Sequence, residues 1–263
     1  MRHTPTATAA GPHPDRRDPK APRAPLGPFA AGLAVLLLAL VPACQAPRSA
    51  GEIRASAEAA YDAGEYEKAL AEWEAYAEVY PVPLKADLGR ARALLALDRP
   101  LEAAEILERV HRADPRDEEK LELLIDALFA ADAHGRLIEL LRERTRQPGR
   151  VADFLRLGRY AQLLGDPDEA ERALLAAARI DRGQSVEPQR ALAAFYHEIG
   201  DTQAALERYA MALWFDYTDP EIAERIRSLG ETPGRTFVRP PAEAVREGLL
   251  GPDAPPPPPP PTR

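Results

Sequence analysis

The side chains able to do chemistry are few and scattered. Cys44 is the single thiol of 263 residues, which excludes an internal disulfide framework and a Cys-rich zinc site. The histidines His111, His134 and His197 lie far apart, and the chain contains no His-Glu-x-x-His, no Gly-x-Ser-x-Gly and no Gly-rich phosphate loop following a strand. Carboxylate pairs such as Glu118-Glu119 read as helix-start charges that favour the dipole. We therefore assign no catalytic residue, no metal ligand and no cofactor, and expect no enzyme. What remains is one thiol in a special context and a set of arginines suited to bidentate recognition of carboxylates.

The context of Cys44 is informative. Residues 24–47 carry no charge, Phe29 to Val41 is nearly all apolar, and Arg16, Arg17, Lys20 and Arg23 precede it, the order of a secretory signal. The ending Val41-Pro42-Ala43-Cys44 resembles the lipobox of bacterial lipoprotein signals. That resemblance implies a small residue at the cleavage site and a thiol that forms a thioether to diacylglycerol, with acyl chains anchoring the mature N-terminus. The other readings are an uncleaved anchor, since 24 uncharged residues suffice to span a bilayer, and a signal in which the Cys is incidental. The lipid or the anchor places the body outside the cytoplasm, at the cell envelope. Gln45 lacks the Asp that retains some lipoproteins at the inner membrane, so the periplasmic face of an outer membrane is favoured where one exists.

Charge and proline divide the chain the same way. Residues 1–43 carry five Lys/Arg against two Asp, whereas residues 44–239 carry 27 against 37 Asp/Glu. An acidic body offers no net attraction to nucleic acid or anionic lipid. Of 28 prolines, seven lie in residues 1–28 and ten from Pro240 onward, which leaves the middle free to be helical. Arginine replaces lysine almost everywhere and Asn is absent, a pattern consistent with a GC-rich bacterial gene.

The elements that must position these groups repeat. Ala69 and Ala103 are 34 apart, as are Pro81 and Pro115, and Gly165-Asp-Pro-Asp-Glu-Ala170 recurs as Gly200-Asp-Thr-Gln-Ala-Ala205. Five units start near Ser49, Leu84, Glu118, Val151 and Val186. The chain resembles the tetratricopeptide repeat, in which small residues sit where two helices cross. Those places are Ala57, Ala91, Ile125, Gly158 and Ala193 in the first helices, and Ala69, Ala103, Leu137, Ala170 and Ala205 in the second. Four residues on come the larger knobs Trp73, Leu107, Leu141, Leu174 and Tyr209, on the same helical face. Gly64, Gly165 and Gly200 should end first helices, and Pro81 and Pro115 should stop second ones. The third unit departs: Ile125 and Leu137 replace the small pair, Arg144 stands at an apolar place and Pro148 comes early, which predicts a wider helix pair and a bend. Asp219-Pro220 to Gly230 predicts a capping helix.

The expected fold is all-α, an α-solenoid of about five repeats with a C-terminal capping helix and disordered flanks. Its segments are a signal (1–43), a lipidated linker (44–49), the solenoid (50–230) and a Pro-rich disordered tail (231–263). Within that tail, residues 242–250 are compatible with one short helix, and Pro255 to Pro261 with polyproline II, either a ligand for an aromatic groove or a spacer.

The family resemblance implies that the first helices line a concave groove for a protein or peptide. Its facing places here are Arg54, Tyr61, Lys85, Arg92, Glu122, Asp126, Phe129, Arg159, Gln162, Arg190 and His197. Arg54, Lys85, Arg92, Arg159 and Arg190 would form a basic lining; the competing reading makes them solvated side chains paired with neighbouring Glu. Without Asn the chain lacks the Lys/Asn clamp by which chaperone-binding relatives hold a C-terminal carboxylate. The resemblance thus implies a noncatalytic scaffold with a protein or peptide partner, membrane attachment through its N-terminus, and no nucleic acid or small-molecule substrate. A regulatory or docking adaptor for an envelope hydrolase supplied in trans is the alternative.

Overall fold

Helix boundaries follow local capping chemistry. In the computed structural model, which describes residues 48–80, 83–146 and 149–257, Ser49 opens α1 (Ala50–Asp62) with a reciprocal capping box. The Ser49 Oγ accepts from the Glu52 amide at 3.3 Å, and the Glu52 carboxylate accepts from the Ser49 amide at 2.7 Å. Then follow α2 (Tyr66–Val79), α3 (Pro83–Ala96), α4 (Pro100–Ala113), α5 (Glu118–Ala130) and α6 (His134–Arg146). The second half holds α7 (Val151–Leu163), α8 (Pro167–Asp181), α9 (Glu187–Glu198), α10 (Thr202–Ala212), α11 (Pro220–Ser228) and α12 (Ala242–Arg246). Asp117, Asp166, Asp201 and Asp219 cap α5, α8, α10 and α11 through their carboxylates. No strand occurs among the described residues.

Each first helix turns into its partner at one backbone position with positive φ, held by Gly64 (77°), Asp98 (57°), Asp132 (52°), Gly165 (78°) and Gly200 (83°). The glycines meet this demand without a Cβ penalty, and Asp tolerates it better than most residues. The second and third units keep the turn where the glycine signal is missing.

The crossing positions are buried as their sizes require. Ala57, Ala91, Ala193, Ala69, Ala103, Ala170 and Ala205 are fully enclosed, as are Ile125 and Leu137 in the third unit. The knobs behind them are also buried, from Leu107 and Leu141 at 0% to Trp73 at 7% exposure. Trp73 lies on the next unit at Gly89, where a Cβ would fall 2.2 Å from the indole ring. With the larger Ile125 and Leu137 at its crossing, the α5–α6 pair packs less closely than the other four pairs, so the expected wider spacing is present. A continuous apolar core runs from Ala91 to Ala173 through this unit. The closing prolines Pro81 and Pro148 lie outside the described residues, while Pro115 follows the end of α4 directly.

At the C-terminal end, α11 seals the array with Ile222 and Ile226, buried against Tyr209, Ala212 and Leu213. Beyond it the structure corrects an expectation. Of residues 231–263, read from the sequence as a disordered tail, the stretch from Phe237 to Val245 is packed onto the last units. The Arg239 amide donates to the Ala210 carbonyl at 3.1 Å, and α12 rests on α8. Gly183 makes that approach possible, since a Cβ there would come within 2.6 Å of Pro241. A buried polar trio locks the joint: the Arg208 Nη1 donates to Glu243 at 2.8 Å and to Gln189 at 2.9 Å, and Gln189 donates to Glu243 at 3.0 Å. The proline content that suggested disorder is offset by Phe237, Val238 and Ala244, which bury apolar surface. Residues 258–263, with the end of the proline run, lie outside the described residues.

Candidate functional site

The first helices α1, α3, α5, α7 and α9 present a common face, and side chains stitch neighbouring helices together across it. Arg92 of α3 pairs with Glu119 of α5. Glu122 of α5 accepts from the Arg156 Nε of α7 at 2.7 Å. Phe129 of α5 meets Tyr160 of α7 edge-on with ring centroids 5.5 Å apart, and Gln162 of α7 donates to Glu198 of α9. Arg190 of α9 donates to Asp219 at 2.6 Å and approaches Glu221 of α11 at 3.5 Å.

These contacts alter the expected basic lining. Arg54 pairs with Glu58 one turn on at 3.7 Å, so three of the five cations are matched by neighbouring carboxylates. Among the described residues, Lys85 and Arg159 have no ion-pair partner within 4.0 Å. Arg159 lies over the Tyr160 ring at 5.6 Å, a favourable cation–π distance. The face is therefore a lattice of paired charges interrupted by aromatic rings rather than a basic strip. Burial and the nearby Glu122 push the Asp126 carboxyl above its ordinary range, against the opposing pull of Arg159. Tyr61 packs on Tyr66 with centroids 5.4 Å apart.

The eleven positions do not converge on one site. The structure brings two of them, Arg190 and His197, into a pocket of about 580 Å³ between α9, α10 and α11, whose wall also includes Ala194, Glu198, Tyr209, Glu221, Ile222 and Arg225. The His197 Nδ1 lies 3.4 Å from the Tyr209 hydroxyl, with the two rings perpendicular. Burial pushes the Tyr209 hydroxyl above the usual phenol range, so it remains a neutral donor. Tyr209 was legible only as a packing knob. Ile222 and Arg225 carried no groove signal, because the capping helix follows no repeat register.

Of the other histidines, His134 approaches Asp132 at 3.5 Å on the surface and His111 is buried. Among the described residues no cluster of three metal-ligating side chains occurs, and no helix is long and apolar enough to cross a membrane. Cys44 and the whole signal segment lie outside the described residues.

No protein-family model matches the sequence, and no curated protein matches it significantly. Several solved structures do. TTC0263, a thermophilic tetratricopeptide-repeat protein of Thermus thermophilus, is 24% identical over 69% of this chain and 98% of its own, with a TM-score of 0.43. MamA is 17% identical, covering 68% and 94% with a TM-score of 0.49. YrrB, a tetratricopeptide-repeat protein with an unusual peptide-binding site, is 18% identical, covering 68% and 92% with a TM-score of 0.47. At these identities and scores the likeness says nothing about what this chain binds. The fold is defined by its own geometry: five helix pairs with positive-φ turns stepping from residue 64 to 98, 132, 165 and 200, small buried residues at most crossings and a sealing helix form an α-solenoid of repeated helix pairs, the fold that the sequence's resemblance to the tetratricopeptide repeat implies.

Proposed function

We propose that this protein is a noncatalytic scaffold that holds a protein or peptide partner on the face formed by its first helices. A lipid on Cys44 tethers it to a membrane of the bacterial envelope. The observation that carries the partner reading is the pocket between α9, α10 and α11, with apolar surface at Ala194 and Ile222, aromatic and imidazole walls at Tyr209 and His197, guanidinium groups at Arg190 and Arg225, and carboxylates at Glu198 and Glu221. A cleft that combines apolar surface with convergent polar groups is a common form of recognition site, and a site with both guanidinium and aromatic groups suits an anchoring peptide side chain.

The direct test is crosslinking capture by the full chain and by two variants. Ala194→Trp fills the pocket from an exposed position without touching the core, and Arg92→Glu with Arg159→Glu reverses charge along the face. Loss of the captured partner in both is expected; capture unchanged by Ala194→Trp would remove the pocket from consideration. For the tether, mass spectrometry of the mature N-terminus should find an acylated Cys44. An unmodified terminus upstream of Cys44 would sink the lipid anchor and leave the partner reading untouched.

A further inference from the structure

The third unit breaks the apolar pattern of the second helices at one interior position. Three residues after the knob, the other second helices bury Tyr76, Val110, Ala177 and Ala212, but α6 carries Arg144. A guanidinium there gives up apolar burial and must be desolvated, and a local rule broken in this way marks a functional or compensated site. Its surroundings are unusual. Arg144 donates to Asp153 at 3.1 Å, to Glu118 at 3.0 Å and to the Pro115 carbonyl at 2.6 Å. Arg150 pairs with the same two carboxylates, and Arg156 donates to Glu118 at 2.8 Å and reaches Asp153 at 3.5 Å. Three guanidinium groups thus converge on two carboxylates, of which Asp153 is buried (4% exposed) and Glu118 is accessible (39%).

A pocket of about 650 Å³ opens beside them, walled by His111, Arg116, Leu140, Arg144, Arg150 and Asp153. Glu143, also in its wall, is taken by Arg146. Arg116 is exposed and has no ion-pair partner among the described residues. His111 is 8% exposed, and its buried Nδ1 has no hydrogen-bond partner. Such an unpaired interior group is unfavourable. Burial and Arg144 push its imidazole below the ordinary range, against the opposing pull of Glu118 and Asp114.

We propose that this junction between the third and fourth units is a binding site for an oxyanion, the phosphate or carboxylate group of a small ligand. Glu118 is its resident stand-in. When an incoming oxyanion takes the place of that side chain, the guanidinium groups of Arg144 and Arg150, which wall the pocket, are released from Glu118 for the forked contacts that suit bidentate recognition, while Arg156 stays with Glu122 at 2.7 Å. Asp153 keeps them in place, the exposed Arg116 adds a further cation to the wall, and the His111 imidazole lies in the same wall to report on the ligand. The site lies outside the α9–α11 pocket and is independent of the partner reading.

The test is titration of the full chain with inorganic phosphate, and separately with acetate, at constant ionic strength against a chloride control. The readouts are calorimetry and the His111 imidazole resonances. Saturable binding with a shift of His111 is expected, and the stronger arm identifies the head group. Glu118→Gln should tighten binding several-fold by removing the internal competitor. Arg144→Val, which restores the residue type of Val110 and leaves Asp153 paired with Arg150, should keep the protein folded and weaken binding about tenfold or more, a loss of about 1.4 kcal/mol. Should that variant fail to fold, the exposed Arg116→Ala serves instead and should weaken binding several-fold. No saturable signal beyond chloride, or an unchanged affinity in Glu118→Gln, would overturn the proposal.

Discussion

At the scale of single residues, size at the helix crossings sets how closely the units pack. Gly158 is the sharpest case: a Cβ there would lie 2.6 Å from the Leu174 side chain, which is itself 2% exposed and has nowhere to go. Gly158→Ala should therefore destabilise the protein by about 1–3 kcal/mol through overpacking. Gly135→Ala, in α6 with open space around it, should instead stabilise it by up to about 1 kcal/mol. Urea denaturation of the two variants checks both signs, and a neutral Gly158→Ala would mean that the fourth crossing is looser than described. These small residues were legible in the sequence because the repeat places them in register. The pairing of Trp73 with Gly89 was not, since the two belong to different units and no periodic position links them.

At the scale of elements, the C-terminal segment behaves as part of the array. Burial alone would raise the Glu243 carboxyl, but the hydrogen bond and charge of Arg208 outweigh it and hold the group below the usual carboxylate range. A carboxyl depressed in the folded state contributes stability that is complete above the ordinary value near 4.5 and is lost as pH falls below it through the folded value. Protection of the amides that close α12, such as that of its C-cap Glu247, should accordingly fall relative to the intrinsic exchange rate as the pH is lowered below 4.5. Glu243→Ala should produce the same opening at neutral pH and cost about 3–5 kcal/mol, because it leaves the Arg208 charge uncompensated. Exchange in Glu243→Ala matching the wild type would show that apolar contacts alone hold the segment. The sequence allowed a short helix here, but its docking depends on Gln189 and Arg208, 54 and 35 residues away from Glu243.

At the scale of the whole molecule, a stack in which each unit touches only its neighbours distributes stability along one dimension. Truncation after Gly230 should therefore speed amide exchange in α8, α9 and α10, which lose the Glu243 trio and the Arg239–Ala210 hydrogen bond, and leave α1 to α4 unchanged. Uniform acceleration along the chain would contradict nearest-neighbour coupling and point to one cooperative unit. The same logic makes the third unit the weakest link, since its α5–α6 pair is the most loosely packed and charged groups supply part of its junction with α7.

The repeat could be read from residues alone, because helix period, turn residues and small crossing residues are all local signals within about 34 residues. The same reading marked Arg144 as a departure, and Cys44 as the one thiol in a signal-like setting. Which charges are spent emerged from packing between units. Arg92, Arg156 and Arg190 find their carboxylates on neighbouring helices, and Arg144 finds Glu118 and Asp153 from two different elements. A charge pattern on one helix does not reveal what faces it across an interface, so an apparently basic lining became a paired lattice and an apparently disordered tail became a docked cap.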